Sequence, residues 1–212
     1  MNYALCALSA KLAACNHREF TAMLYSEQRA AQIAAFFISK AGGRIEILKL
    51  MKLMYFAERE SFKAYGEPMT GDRYYSLDHG PILSKTLDHI NNMVDSEPGG
   101  WESWIQDREN HLLSLREEGD PTARLTLLSE ADIEILESTW SEYGRFSASQ
   151  LRNLSHEICD EWDDPDGSRL PILVSRILKS VGHKDPDVVK ELTERIEAQR
   201  VMDMIFDRKL VG

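Results

Sequence analysis

The apolar positions of this chain fall into helical registers over most of its length. Ala30, Ile33, Ala34 and Phe37 recur at steps of three, one and three, which puts them on one face of an α-helix. Ser26 stands where an N-cap belongs and Gly42-Gly43 where the helix must stop, so the pattern predicts a helix from Ser26 to Lys40. A second helix is predicted over Ile45–Tyr65, with Ile47, Leu50, Met51, Met54 and Ala57 on its apolar side. Gly66 serves as its C-cap, and Pro68 prevents continuation. The period then changes. Asp72–Leu77 places adjacent tyrosines between turn residues and reads as a short strand. Gly80-Pro81 reads as a turn, with Pro81 at the first position of a helix through Ile90.

In the second half, Trp101–Asp107 predicts a short helix and Asn110–Arg116 a second strand, followed by a polar turn over Glu117–Thr122. Ser129 opens a helix to Tyr143 with Ile133, Leu136 and Trp140 inward, and Ser147-Ala148-Ser149-Gln150 has the spacing of a capping box. Asp160–Ser168 is an acidic loop. Pro171 and Pro186 each stand at a predicted first helical turn, and the last helix carries Val188, Val189, Leu192, Ile196 and Ile205 as far as Arg208. The predicted fold class is mainly α, a compact helical domain with a small β-hairpin or short β element.

Composition narrows the functional classes. At 212 residues with 43% apolar and 28% charged side chains, the chain can build a real core in one domain with an appendage. A net charge of -10 disfavours the phosphate backbone of nucleic acid as a partner. No run of about 18 apolar residues predicts a membrane span. Cys6, Cys15 and Cys159 lack metal-type spacing, which points to a reducing compartment, no disulfides and a cytoplasmic location. Leu12-Ala13-Ala14-Cys15 has the outline of a lipoprotein cleavage box. However, Lys11 interrupts the apolar run and no positive charge precedes it. The plainer reading is a short amphipathic extension with Leu5, Leu8 and Leu12 at helical spacing.

Three constellations bear on chemistry. Lys49, Lys52, Phe56, Arg59 and Lys63 are spaced three, four, three and four apart and form one stripe of the second helix. This stripe reads as a docking face, with Phe56 as apolar anchor and the cations steering an acidic partner. The plain alternative is a solvated face with Phe56 tucked into the core. His156, Glu157, Cys159, Asp160, Glu161, Asp163 and Asp164 form the densest group of ligand-type residues. Their spacing matches no calcium loop, and an acidic solvated loop is the simpler account, with a metal-binding protein or enzyme that uses His156 and its acidic neighbours as the alternative. No Gly-rich phosphate loop, G-x-S-x-G elbow or H-E-x-x-H pair is present, so no catalytic residue, cofactor site or metal site is assigned. The scattered histidines include His79, whose place before Gly80-Pro81 suits a structural role in a turn.

These residues resemble a known family. Lys49-Leu50-Met51-Lys52-Leu53-Met54-Tyr55-Phe56-Ala57 is similar to the K-L-x-K-L-x-Y-x-A helix of the SocA-like antitoxins, the Panacea domain. Tyr65-Gly66-Glu67-Pro68 resembles its aromatic-Gly-x-Pro turn, and His79-Gly80-Pro81 its G-P element. Leu128-Ser129-Glu130, Tyr143-Gly144 and Ser147-Ala148-Ser149-Gln150-Leu151 are similar to its later helices, and Leu154-Ser155-His156 with Trp162 to its closing His and Trp. A departure is Trp162 following Glu161, where the family has Pro-Trp; here the proline is Pro165. The resemblance implies a non-enzymatic antitoxin, often carried on prophages and mobile elements, that neutralises a toxin protein by direct contact. One branch of the family delivers its toxin to a cytosolic protease as an adaptor. The resemblance covers about Ser26 to Trp162, and the expected division is an extension at 1–22, the Panacea domain at 23–168 and a C-terminal helical segment at 169–212 packed on that domain.

Leu5, Leu8 and Leu12 offer little apolar area, and at about 25 cal/mol per Å2 their docking would scarcely offset the entropy of ordering the segment. A protein beginning at Met23 is therefore expected to match the full chain in melting temperature and in growth rescue against its toxin. Loss of rescue in the shorter form would make the extension part of the functional unit.

Overall fold

The computed structural model describes residues 25–210, with side chains described as far as 202. The extension, with Leu5, Leu8, Leu12, Cys6, Cys15 and the cleavage-box outline, lies outside the described residues. Among those described, eight α-helices surround two small antiparallel sheets, so the chain is mainly α with a small β element.

Helix α1 (Glu27–Lys40) begins where its cap predicts: the Ser26 side chain accepts from the Arg29 N–H at 3.1 Å. Strand β1 (Arg44–Glu46) follows, then helix α2 (Ile47–Tyr65). The predicted start of α2 at Ile45 is corrected, because Ile45 is a strand residue opposite Leu113 of β4 (Leu112–Ser114). Three residues are too few for strand alternation to stand out beside a strong helical period. Helix α2 is the centre of the molecule. Leu50, Leu53, Tyr55, Ala57 and Phe62 are fully buried, and Phe56 is 2% exposed. Neighbours cover most of its circumference: α2 contacts α1, α5 (Glu130–Tyr143), α6 (Ala148–Ile158) and α7 (Val174–Ser180). Gly66 ends it in the left-handed conformation, φ 67°, with its N–H on Phe62 O.

Strands β2 (Tyr74–Leu77) and β3 (Gly80–Leu83) form a hairpin around Asp78-His79. The expected helix from Pro81 is thus corrected: Pro81 sits in β3 opposite Ser76, and helix α3 (Ser84–Ile90) starts only after it. The hairpin tolerates proline because Leu83, on the same side of β3, turns its N–H to Met51 Sδ at 3.4 Å rather than to β2. Pro81 therefore interrupts no ladder bond. The expectation of a helix beginning at Pro171 is corrected as well, since β5 (Leu170–Ile172) pairs with β2 and completes the order β3-β2-β5. The short helix α4 (Trp101–Trp104) gives way to an extended Ile105. Capping boxes at Ser129 and Ser147 open α5 and α6 as their sequences predict. Pro186 is the first residue of the last helix, α8 (Pro186–Leu210), which packs on α7.

Gly80 has φ 91°. A Cβ there would lie 2.5 Å from Ser155 Oγ and 2.7 Å from Lys52 Nζ. Gly80→Ala is expected to destabilise the fold by at least about 1 kcal/mol, since both the backbone conformation and the close approach exclude a methyl group. An unchanged urea midpoint would contradict this account of the turn.

Candidate functional site

Three of the four cations of the α2 stripe, Lys49, Lys52 and Arg59, are spent on neighbouring elements. Lys49 Nζ donates to Gly144 O at 2.7 Å, at the C-terminal end of α5, and lies 5.5 Å from the centre of the Trp140 ring. Lys52 Nζ donates to Pro81 O at 2.8 Å. Arg59 donates to Ile158 O at 2.8 Å, at the end of α6, and to Ser180 Oγ at 3.2 Å, at the end of α7. Lys49 and Arg59 meet carbonyl oxygen at helix ends, where carbonyls lack intrahelical partners and the dipole favours positive charge, whereas Lys52 meets a carbonyl within β3. The expectation of an outward docking stripe is corrected by burial. Lys52 is 0% and Phe56 2% exposed, and the Phe56 ring packs 4.7 Å from that of Tyr143. Lys63 alone of the five remains in solvent, beside Glu60. Helical spacing groups residues on a face but does not tell whether another helix covers it.

Buried charge is balanced in this layer. Glu161, 1% exposed, accepts from Tyr55 Oη at 2.8 Å and forms an ion pair with Arg59. Burial raises the Tyr55 hydroxyl well above its ordinary range, with the Glu161 carboxylate adding to the shift. Lys52 has no carboxylate partner, and burial pushes its ammonium down to about 7. Cys159 is buried close by and its thiol is pushed up to about 12 by burial, so it is a poor nucleophile.

Three further buried carboxylates hold loops. Glu58 accepts from the N–H groups of Met69 and Thr70, both at 2.8 Å, and from Tyr74 Oη at 3.0 Å. Asp72 accepts from the N–H groups of Lys85 at 2.8 Å and Thr86 at 2.9 Å, in the first turn of α3. Glu27 accepts from Trp101 N at 2.6 Å and Glu97 N at 3.0 Å. Burial raises the Glu58 and Asp72 carboxyls, and these donors oppose the shift. Sequence reasoning missed all three; Glu58, beside Ala57 on the apolar side of the second helix, carried the one hint.

The remaining motif residues also come together. The His156 ring stacks on Trp162 at 4.1 Å, with 8° between the planes, and Trp162 Nε1 donates to Leu77 O at 3.0 Å in the hairpin. His156 Nε2 is buried with no hydrogen-bond partner among the described residues. Burial, followed by the Lys52 and Arg152 charges, lowers the imidazole below its ordinary value. Gly66 and Pro68 are buried in the loop that Glu58 holds, whereas His79 stands exposed at the hairpin tip. His79 borders a surface groove of about 680 Å3 with Met51, Ile82, Leu87, Arg108 and His111. The acidic stretch after His156 does not converge: Glu161 turns to Arg59 and Asp163 to Arg176. Among the described residues no group of three or more His, Cys, Asp and Glu side chains could hold a metal ion.

The Lys52 charge gives a signed pH dependence. An unfolded lysine titrates near 10.4, so between about pH 7 and 10 the unfolded chain binds a proton that the folded chain does not. Stability contributed at this residue therefore rises with pH across that window, by at most about 1.4 kcal/mol per unit, and the full burial penalty applies below it. Wild type should gain on Lys52→Met by on the order of 2 kcal/mol between pH 7 and 9 in urea unfolding. Parallel pH profiles for the two proteins would contradict a neutral Lys52.

Comparison with known proteins adds one match. No curated protein and no solved structure is significantly similar to the chain. The family model described as "Antitoxin SocA-like, Panacea domain" matches residues 50–163, just over half of the chain. That span runs from Leu50 on the central helix through His79-Gly80-Pro81 to the His156–Trp162 stack, and the chain belongs to the SocA-like Panacea family.

Proposed function

We propose that this protein is the antitoxin of a toxin–antitoxin pair and neutralises a toxin protein by direct binding in the cytoplasm. The observation that carries the reading is the family match over residues 50–163. The geometry fits it. Lys52, Tyr55, Glu58, Arg59, His156 and Glu161 are occupied in holding elements together through hydrogen bonds, an ion pair and a ring stack. Among the described residues no helix is long and apolar enough to cross a membrane. Delivery of the toxin to a protease finds less support, because the described end of the chain is a continuous helix, α8, and a tether favours an extended tail.

The test starts from the gene's immediate neighbours. Each flanking reading frame is expressed from an inducible promoter, alone and together with this chain. One of them should arrest growth, be relieved by co-expression, and co-purify with this chain as a stoichiometric complex. Relief without a stable complex would favour the adaptor, and arrest that co-expression never relieves would defeat both readings.

A further inference from the structure

The described surface carries a second groove, outside the matched family span on one side, and it is electrostatically unlike the rest of the protein. It lies between β5, the residues just after it and α8, and has a volume of about 300 Å3. Tyr25, Tyr75, Ile172, Leu173 and Val201 supply its apolar wall. Leu173 is 60% and Val201 49% exposed, so both side chains are available to a partner. The rim carries Arg73, Lys85 and Arg200 against the single carboxylate of Glu197, which is already paired with Arg200 at 2.9 Å. Beside it the Arg169 guanidinium lies 3.8 Å from the centre of the Tyr75 ring. Arg73 is exposed and Lys85 lies over the Tyr25 ring at 5.0 Å; neither forms an ion pair among the described residues. On a chain of net charge -10, this clustering of cations around an apolar groove is the strongest local reversal of sign in the structure's described grooves.

We propose that this groove is the docking site for an acidic segment of a partner protein, one that seats a large apolar side chain between Leu173 and Val201 and sets carboxylates against Arg73 and Lys85. The inference rests on the antitoxin reading only in naming that partner as the toxin. Charge complementarity selects the occupant. The chain's own residues 1–24 reach the groove's border at Tyr25, but they carry Lys11 and Arg18 against Glu19 alone and so lack the complementary charge. Nucleic acid is disfavoured by the net charge. Addition of a partner strand to β5 is disfavoured by Pro171. Tyr74 and Ser76 pair with Ile172 and Leu170 on the bonded register, so the backbone position of Pro171 faces the open edge, where it has no N–H to offer. Recognition must then run through side chains in the groove.

The test uses the full chain, with a peptide library standing in for the toxin. A random dodecapeptide library is selected on the immobilised protein and counter-selected on Arg73→Glu/Lys85→Glu, whose fold is checked by circular dichroism and melting temperature. Survivors should be rich in Asp and Glu around one large apolar residue. The leading peptide should lose about tenfold or more in affinity to the double variant and, independently, to Leu173→Asp. No survivors, survivors without acidic character, or indifference to Leu173→Asp would overturn the proposal. Displacement of the peptide by a short oligothymidylate would overturn it in favour of nucleic acid. Binding that appears only in a chain beginning at Met23 would assign the groove to the protein's own N-terminal segment. Failure here leaves growth rescue by co-expression untouched, and failure of rescue leaves the peptide selection untouched, so the two readings fall separately.

Discussion

The structure depends on the cations of one central helix meeting the loose ends of the elements around it. Lys49 reaches Gly144 O, Lys52 reaches Pro81 O and Arg59 reaches Ile158 O, so α2 ties the ends of α5 and α6 and the body of β3 to a single axis. End carbonyls have no partner within their own element, and a buried one left bare costs about 1–3 kcal/mol. A long cationic side chain satisfies such a carbonyl across the gap between elements, where no backbone donor can reach. The same arrangement forces Gly80 to be glycine: Lys52 Nζ and Ser155 Oγ crowd its α-carbon so closely that no side chain fits.

The acids perform the complementary task. Glu58, Asp72 and Glu27 accept from the N–H groups of loops and of a helix start, while Glu161 offsets Arg59. Donors and acceptors of opposite charge are thus used on opposite kinds of backbone group. The layer that joins α2 to its neighbours is polar and closed, and almost every member is satisfied. Such a network is stable only as a whole, because removing one member leaves another buried and unpaired. Among the described residues His156 Nε2, held by stacking on Trp162, and the Thr139 hydroxyl of α5 have no hydrogen-bond partner.

The helices were legible because each carries its own punctuation. Ser26, Ser129 and Ser147 cap as their positions suggest, and Gly66 closes α2 with a left-handed residue. The three prolines divide instructively. Pro186 opens a helix, whereas Pro81 and Pro171 lie in strands whose pairing needs no donor from them, a circumstance visible only once the partner strand is known. The stripe Lys49–Lys52–Phe56–Arg59–Lys63 was correctly placed on one face, but its meaning reversed on folding. Periodicity reports which residues point together, and only the tertiary packing of α5 and α6 reports that they point inward. The roles of Glu58, Asp72 and Glu27 were barely legible, because most of their partners lie 11 to 74 residues away and many are backbone groups, which leave no mark in a sequence.

That reversal bears on how the family signature should be understood. Signature residues on the central helix and at Gly80-Pro81 are buried, and the half-buried His156–Trp162 stack is tied to the hairpin; together they hold the domain closed. Residues committed to a satisfied interior are not free to vary with a partner, and they cannot contact one without being withdrawn from the core. Discrimination among partners must come from surface that the interior layer does not constrain. In this chain the groove bordered by β5 and α8 has that freedom: Leu173, Val201, Arg73 and Lys85 hold no loop or helix end through their side chains, so they can change charge or size at little cost to the fold. Closure of the domain and choice of partner are in this way placed on separate sets of residues.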